Sequence, residues 1–152
     1  IIKRTLFLSP AYYTSIGFSV PAAVGVQCFD HSQRPLIIVG DGAFQMTGME
    51  LSTALRYGLS PIVILLNNGG YGTERPILDG TFNDIFNWNY HKLPEVFGAG
   101  IGVKVEKEDT FIEALQKAKH DINTMHLIEV ILDPYDFSET LKKLTSGLSD
   151  RV

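Results

Sequence analysis

Two short tracts, rich in oxygen donors and poor in bulky side chains, hold the chemistry this sequence offers: Gly40-Asp41-Gly42 and Asn67-Asn68-Gly69-Gly70. Asp41 brings a carboxylate, Asn68 an amide oxygen, and the chain around Gly70 open backbone carbonyls. That is the hard-oxygen set a six-coordinate Mg²⁺ bound to phosphates prefers. No cluster of thiolates or imidazoles competes for a softer metal. The four histidines, His31, His91, His120 and His126, lack ligand-like spacing and are expected on the surface or in loops. Gly42 and Ala43 lead into a helix whose free N–H groups and positive dipole end make a natural seat for a diphosphate. Metal and diphosphate would then share one corner. Either tract taken alone reads more readily as a tight turn.

The elements that must position these tracts are visible in the hydrophobic pattern. Pro35-Leu36-Ile37-Ile38-Val39 and Pro61-Ile62-Val63-Ile64-Leu65-Leu66 are apolar, largely β-branched runs closed by turn residues, as buried strands of a parallel sheet are. Open parallel sheets bind ligands at the carboxyl ends of their strands, where these two runs deliver the two tracts. Between them Met46 to Tyr57 has Met46, Met49, Leu51, Ala54 and Leu55 at roughly helical spacing, with Gly58 placed to stop the helix. Upstream, Ile16 to Phe29 reads as a helix packed closely on the sheet through Ala22, Ala23 and Gly25. Downstream follow a strand at Ile101 to Val105 and an amphipathic helix at Asp109 to Lys119 with Phe111, Ile112, Leu115 and Ala118 inward. A strand at Leu127 to Leu132 comes next, and then a last helix capped by Ser138 that carries Leu141 and Leu144. This alternation predicts an α/β fold: a three-layer, doubly wound, mostly parallel sheet with helices on both faces. The stretch Asn67 to Pro94 has no clear period, and its aromatic content argues for an ordered, functional loop. Phe86, Trp88 and Tyr90 there are more readily packing under a long loop than a pocket wall.

At 152 residues, 45% hydrophobic and 20% charged, the chain is expected to form one compact domain over 1–152. A net charge of -4 with dispersed basic residues disfavours nucleic acid and anionic membrane surfaces as partners. No stretch approaches the apolar length of a membrane span. The lone cysteine, Cys28, cannot form an internal disulfide and reads as a small core residue, so a reducing, cytoplasmic setting is expected. The start at Ile1-Ile2-Lys3-Arg4, with neither methionine nor a cleavable apolar signal, is expected of a piece of a longer enzyme.

Gly40-Asp41-Gly42, 24 intervening residues and Asn67-Asn68 together resemble the signature of thiamine-diphosphate-dependent enzymes. Ser15 to Ala23 is similar to the segment that opens the diphosphate-binding domain of 2-oxo-acid decarboxylases. Gly42 to Thr47 with Glu50-Leu51 is similar to that family's diphosphate-binding helix, and Leu127-Ile128-Glu129-Val130 to its C-terminal end. Asn68 to Glu74 resembles the Asn-x-Gly-Tyr-x-x-Glu of the pyruvate, indolepyruvate and phenylpyruvate decarboxylase group. The resemblance covers about residues 12 to 145 and implies thiamine diphosphate and Mg²⁺ as cofactors and a 2-oxo acid as substrate. It makes Asp41 and Asn68 side-chain ligands of Mg²⁺ and Gly70 a carbonyl ligand, with Gly40, Gly42, Ala43 and Tyr71 around the cofactor. Ile16 matches the apolar wedge that holds the cofactor's two rings folded together. Thr14 matches a position, usually glycine, whose backbone carbonyl accepts a hydrogen bond from the pyrimidine amino group. Glu74 would handle protons around decarboxylation and aldehyde release, with a pKa raised by burial against the cofactor.

By themselves Ile16 would be core and Glu74, beside Arg75, half of a solvated surface pair. Three residues depart from the group pattern: Gly69 stands where an acidic residue is common, Gly72 where threonine is common, and Thr73 where an aliphatic side chain lines the substrate pocket. The resemblance further implies that a pyrimidine-binding domain, from a second subunit of a homodimer or homotetramer, supplies the activating glutamate. The 152-residue piece alone is then expected to be inactive. An acetolactate-synthase-like carboligase shares the metal motif but generally lacks the carboxyl at Glu74. A non-catalytic binding or assembly module is the other alternative, while a nicotinamide-binding domain is disfavoured because no G-x-G-x-x-G follows a strand.

Overall fold

The computed structural model describes residues 6–149, so Ile1 to Arg4 lie outside it. Within that span, helix α1 (Ser19–Phe29) leads to strand β1 (Leu36–Gly40), helices α2 (Asp41–Thr47) and α3 (Glu50–Arg56), and strand β2 (Ile62–Asn67). A long loop with single 3₁₀ turns at Thr81–Asn83 and Tyr90–Lys92 leads to the short helix α4 (Leu93–Phe97) and strand β3 (Ile101–Val105). Helix α5 (Glu108–His120), strand β4 (His126–Ile131) and helix α6 (Glu139–Ser149) complete the described chain. The four strands are all parallel, in the order β1-β2-β4-β3. The α/β architecture expected from the alternating pattern is therefore present.

Strand alternation sends side chains to two faces, and each face has its own core. Ile37, Val39, Val63, Leu65 and Leu127 point to one, where they meet Val20 and Ala23 of α1, Phe44 of α2, Leu51 of α3, and Tyr90. Ile62 and Ile128 point to the other, under Phe111, Ala114, Leu115 and Ala118 of α5. The α5 cover stops short of β1, where Leu36 and Ile38 are exposed.

The helix expected from Met46 to Tyr57 differs in start and continuity. It begins at Asp41, directly after β1, with Gly40 extended at φ -74° and ψ 156°. It is also tightened at Gly48-Met49, where Leu51 N–H donates to Gly48 O and Ser52 N–H to Met49 O, both bonds of i to i−3 type. The ring of Phe44 fills the space that a side chain at residue 48 would need. Because the helix starts earlier, Ala43, Phe44, Leu51, Ala54 and Leu55 face the core, while Met46 and Met49, expected inward, are exposed. The upstream helix starts at Ser19 instead of Ile16. Cys28 lies in it, exposed and outside the core. In α5, Ile112 is exposed although expected inward. Ser138 does cap α6, its Oγ accepting from Leu141 N–H at 3.2 Å, but Leu144 on that helix is exposed.

At the end of the sheet away from Asp41, the Arg34 guanidinium ties three connections together. It donates from Nε to Ser60 O (2.7 Å), from Nη1 to Ala118 O (2.6 Å) and from Nη2 to Thr124 O (2.9 Å). Burial lowers its pKa, and the charge still strengthens all three bonds. Arg34→Ala is expected to lower the unfolding free energy by about 2–3 kcal/mol in urea denaturation. Arg34→Lys should recover less than half of that, because an ammonium cannot span three divergent carbonyls. A loss below about 0.5 kcal/mol would mean that water replaces the guanidinium without cost.

Candidate functional site

The register pairs Gly40 of β1 with Leu66 of β2, so the residues that follow each strand emerge side by side at the carboxyl edge. Asp41 is fully buried there. Its Oδ1 accepts from Gly42 N–H at 2.8 Å, and its Oδ2 accepts from Gly69 N–H at 2.7 Å and Gly70 N–H at 3.1 Å. Burial raises its pKa above the ordinary aspartate value, and the backbone hydrogen bonds pull in the opposite direction. To aim two successive N–H groups at one carboxylate oxygen, the chain turns through positive φ at Gly69 (+77°) and Gly70 (+157°).

The Asn68 amide end lies 3.2 Å from Asp41 Oδ1 and 3.0 Å from Gly70 O when its nitrogen faces them and donates to both. With its oxygen facing them, that oxygen meets two others with no proton between. Neighbouring ligands of an octahedral Mg²⁺ lie ~3 Å apart, √2 times a bond of about 2.1 Å. The spacing therefore fits a cation between Asp41, Asn68 and Gly70. A Cβ built at Gly40 or at Gly69 meets nothing within 4 Å, so open space flanks this corner. No group of three or more His, Cys, Asp or Glu suited to a metal occurs among the described residues, which leaves the mixed oxygen set as the candidate.

The other predicted residues are placed as follows. Tyr71 is half-buried with its ring packed against Gly42 Cα, where a Cβ would come within 2.7 Å of it. The Gly42 N–H already serves Asp41, so the start of α2 offers fewer free donors than the sequence suggested. Ile16 stands in a turn before α1 and is 56% exposed, so it is not a core residue. That turn is fastened to α2: Gly17, at φ +82°, fits against Met46 and Thr47, and Thr47 Oγ1 donates to Gly17 O at 2.6 Å. Thr14 has φ +48°, a left-handed backbone conformation uncommon for a non-glycine residue. Glu74 sits in the turn after Tyr71, its N–H donating to Tyr71 O at 3.1 Å, and its side chain is exposed instead of buried.

Several supporting residues were not read from the sequence. Arg75 is buried and turns away from Glu74, pairing with Asp79 (3.0 Å) and Asp84 (2.7 Å). It braces the loop behind Gly70. Gln45 Nε2 on α2 donates to Phe86 O (2.7 Å) and Tyr90 Oη (2.8 Å), fixing the aromatic end of that loop. Of those aromatics Tyr90 is fully buried, its ring edge-to-face with Phe44, Trp88 packs on the same core, and Phe86 is exposed. Two histidines expected in loops or at the surface are tied into the fold by carboxylates: His126, itself buried on β4, meets Asp121 at 3.1 Å, and His91 meets the buried Glu129 at 2.6 Å. A carboxylate inside an apolar strand, as in Leu127-Ile128-Glu129-Val130, is the signal that could have revealed Glu129, since a buried charge requires partners.

Residues 2–130 match the family model described as thiamine pyrophosphate enzyme, C-terminal TPP binding domain. The chain is 39% identical over 141 residues to an indole-3-pyruvate decarboxylase of Azospirillum brasilense, covering 92% of this chain and 26% of that one. It is 40% identical over 142 residues to pyruvate decarboxylase 1 of Arabidopsis thaliana, covering 90% and 23%. An alpha-keto-acid decarboxylase of Mycobacterium tuberculosis is 34% identical over 147 residues, covering 94% and 26%. Among solved structures, the thiamine diphosphate-dependent 4-hydroxybenzoylformate decarboxylase of Rhodococcus jostii RHA1 superposes with a TM-score of 0.72 at 29% identity, over 81% of this chain and 24% of that one. The chain thus spans about a quarter of the length of these relatives.

The two loop glycines separate steric from conformational demand. A Cβ at Gly70 would overlap Asn83 O and lie 2.9 Å from Arg75 Nη2, whereas one at Gly69 meets nothing. Gly69→Ala is expected to cost roughly 1 kcal/mol, the left-handed penalty alone. Gly70→Ala should cost at least twice that, because the chain at Asn83 must also move. Equal losses in chemical denaturation would contradict this packing.

Proposed function

The chain belongs to the thiamine pyrophosphate enzymes, whose C-terminal cofactor-binding domain it matches, and on that premise we propose that it binds the diphosphate of thiamine diphosphate through Mg²⁺. We infer also that it contributes one half of the active site for non-oxidative decarboxylation of a 2-oxo acid to an aldehyde and CO₂. The observation that carries the metal reading is the convergence of Asp41 Oδ1, the Asn68 amide end and Gly70 O at 3.0–3.2 Å beside two open glycines. In this reading Asp41 and Asn68 hold the cation by their side chains and Gly70 by its carbonyl. Gly40, Gly42, Ala43 and Tyr71 border the diphosphate.

When bound, thiamine diphosphate supplies an electron sink for carbanion chemistry. Ile16 presents an exposed apolar tip on a turn anchored to α2, which suits a wedge beneath a folded cofactor. Thr14 offers its backbone carbonyl to the pyrimidine amino group. Glu74, on the loop that follows the metal ligands, gives or takes a proton at its carboxyl. Its side chain is exposed here, and in this reading the cofactor and a pyrimidine-binding domain of a second subunit cover it. Within this proposal residues 1–152 are one domain of a longer homodimeric or homotetrameric enzyme of a reducing, cytoplasmic compartment, inactive when isolated. Glu74 favours a decarboxylase over a carboligase.

Calorimetric titration of thiamine diphosphate into the chain is expected to give heat only with Mg²⁺ present, and none with Asp41→Ala. Asp41 also sets a pH dependence. Its raised pKa means that its protonation stabilises the metal-free fold fully below the ordinary aspartate range, and that this stability is lost as pH rises through the folded value. A cation favours the ionised form, so the rise in melting temperature caused by Mg²⁺ with thiamine diphosphate should grow from about pH 4 to about pH 7. A rise independent of pH would place the cation away from Asp41. In the full-length protein, Glu74→Gln should lower aldehyde formation by roughly 10²–10⁴-fold while leaving cofactor affinity within threefold. Loss of affinity instead of rate would assign Glu74 to binding.

A further inference from the structure

Glu129 is buried in β4 at 2% exposure, next to the metal corner and outside it. Its Oε1 accepts from Asn67 Nδ2 at 2.7 Å. Its Oε2 accepts from His91 N–H at 3.0 Å and faces His91 Nδ1 at 2.6 Å. Asn67 Oδ1 in turn accepts from Gly69 N–H at 3.3 Å and from Asn87 Nδ2 at 3.1 Å. The Gly69 N–H is the same group that reaches Asp41 Oδ2 at 2.7 Å. An unbroken chain of contacts therefore runs from His91 through Glu129 and Asn67 to the turn that surrounds Asp41.

Two features of the fold exist to bring His91 there. The 3₁₀ turn Tyr90–Lys92 lies directly on β3, where Gly102 leaves the room: any side chain at 102 would overlap the His91 carbonyl. Tyr90, immediately before it, is locked by the core and by Gln45. His91 is thus held on both sides, with its ring against a carboxylate that water does not reach. A buried carboxylate that serves only packing would be replaceable at a gain by an apolar residue. One that fixes the orientation of an asparagine preceding a proposed metal ligand has a reason to be retained.

We propose that Glu129, partnered by His91, is a positioning residue for the metal loop: it fixes the Asn67 side chain so that residues 67–70 present their amides to Asp41 and their oxygens to the cation. The proposal rests on the reading of Asp41, Asn68 and Gly70 as the cation site. Outer partners that orient metal ligands are worth roughly 10–100-fold in affinity. Gln at 129 retains one acceptor and cannot serve both Asn67 and His91, so one of the two is released. His91→Gln keeps a side-chain donor for Glu129, and His91→Ala leaves only that residue's backbone N–H.

The test is binding of Mn²⁺ with thiamine diphosphate to this chain, followed by water-proton relaxation, alongside amide hydrogen exchange of Gly69 and Gly70 in the metal-free chain. Glu129→Gln and His91→Ala are expected to weaken Mn²⁺ binding by roughly 10–100-fold. They should also speed exchange at Gly69 and Gly70 by at least about tenfold, with the amides of Ile38 and Leu127 unchanged. His91→Gln should restore affinity to within about threefold. If Glu129→Gln does not fold, the His91 pair decides, since that ring is only half-buried. Affinity and exchange unchanged in His91→Ala and Glu129→Gln, while Asp41→Ala abolishes binding, would overturn the positioning role and leave the cation site standing. An Asp41→Ala chain that binds as tightly as the unaltered one would overturn both.

Discussion

The carboxylate of Asp41 is taken out of water at the junction of a strand and a helix, and its neighbours are arranged to make that tolerable. The effective penalty for burying an ion is several kcal/mol. Three backbone N–H groups offset it, one from Gly42 on its own strand–helix turn and two from Gly69 and Gly70 on the neighbouring one. Hydrogen bonds to a charged acceptor stabilise by about 1.5–3 kcal/mol each, so they compensate most of the cost, although burial still raises the pKa. In the proposed reading, the cost left over is a demand for positive charge that a cation meets. The same bonds join the ends of β1 and β2, so the feature that creates the demand also fixes the geometry that answers it.

This constraint propagates outward. A turn that aims two consecutive amides at one oxygen needs positive φ, hence Gly69 and Gly70. Gly70 then lies against Asn83 and Arg75, which obliges the returning loop to pass close by, and the isolated bridge from Gly70 to Asp84 registers that passage. Arg75, gripping Asp79 and Asp84, holds the return in place. Tyr135 adds its hydroxyl to Asp79 at 3.1 Å and its ring to the Arg75 guanidinium. The long segment between β2 and α4 is thus ordered without regular secondary structure because ion pairs and aromatic packing do the work that a strand ladder does elsewhere.

Much of this framework is legible in the residues. Strands such as Ile101–Val105 stand out as β-branched runs, and the metal tracts follow because parallel sheets present their carboxyl ends as a site. What was not legible has a common cause: it depends on partners far away in sequence. The start of α2 at Asp41 and its tightening at Gly48 depend on where the Phe44 ring lies. Ile16 reads as a helix-opening core residue until Thr47, thirty-one positions on, is seen to fasten its turn from outside. The order of the loop rests on Gln45 reaching Phe86 and Tyr90, and the burial of Arg75 on two aspartates whose spacing marks no motif. Met46 and Met49 fit the helical spacing of Leu51, Ala54 and Leu55, but the interruption at Gly48-Met49 puts the two methionines outside the core.

Three acidic residues around the site show how environment divides labour among identical chemical groups. Asp41 is buried, with its oxygens accepting from Gly42, Gly69 and Gly70, but it borders open space on the Gly40 and Gly69 sides, where the proposed cation would reach it. Glu129 is equally buried, and both of its oxygens are occupied by Asn67 and His91, so it can influence a ligand only through what it holds. Glu74 is exposed on the loop between them, and only its carboxyl is free to touch a molecule that arrives from solvent. In the proposed reading Asp41 is a metal ligand desolvated before binding, Glu129 a positioning group that stays desolvated, and Glu74 a proton-transfer group that becomes so only when substrate is in place. The fold supplies the first two conditions by itself. The third is left, in that reading, to whatever covers Glu74 and Ile16, both of which are exposed.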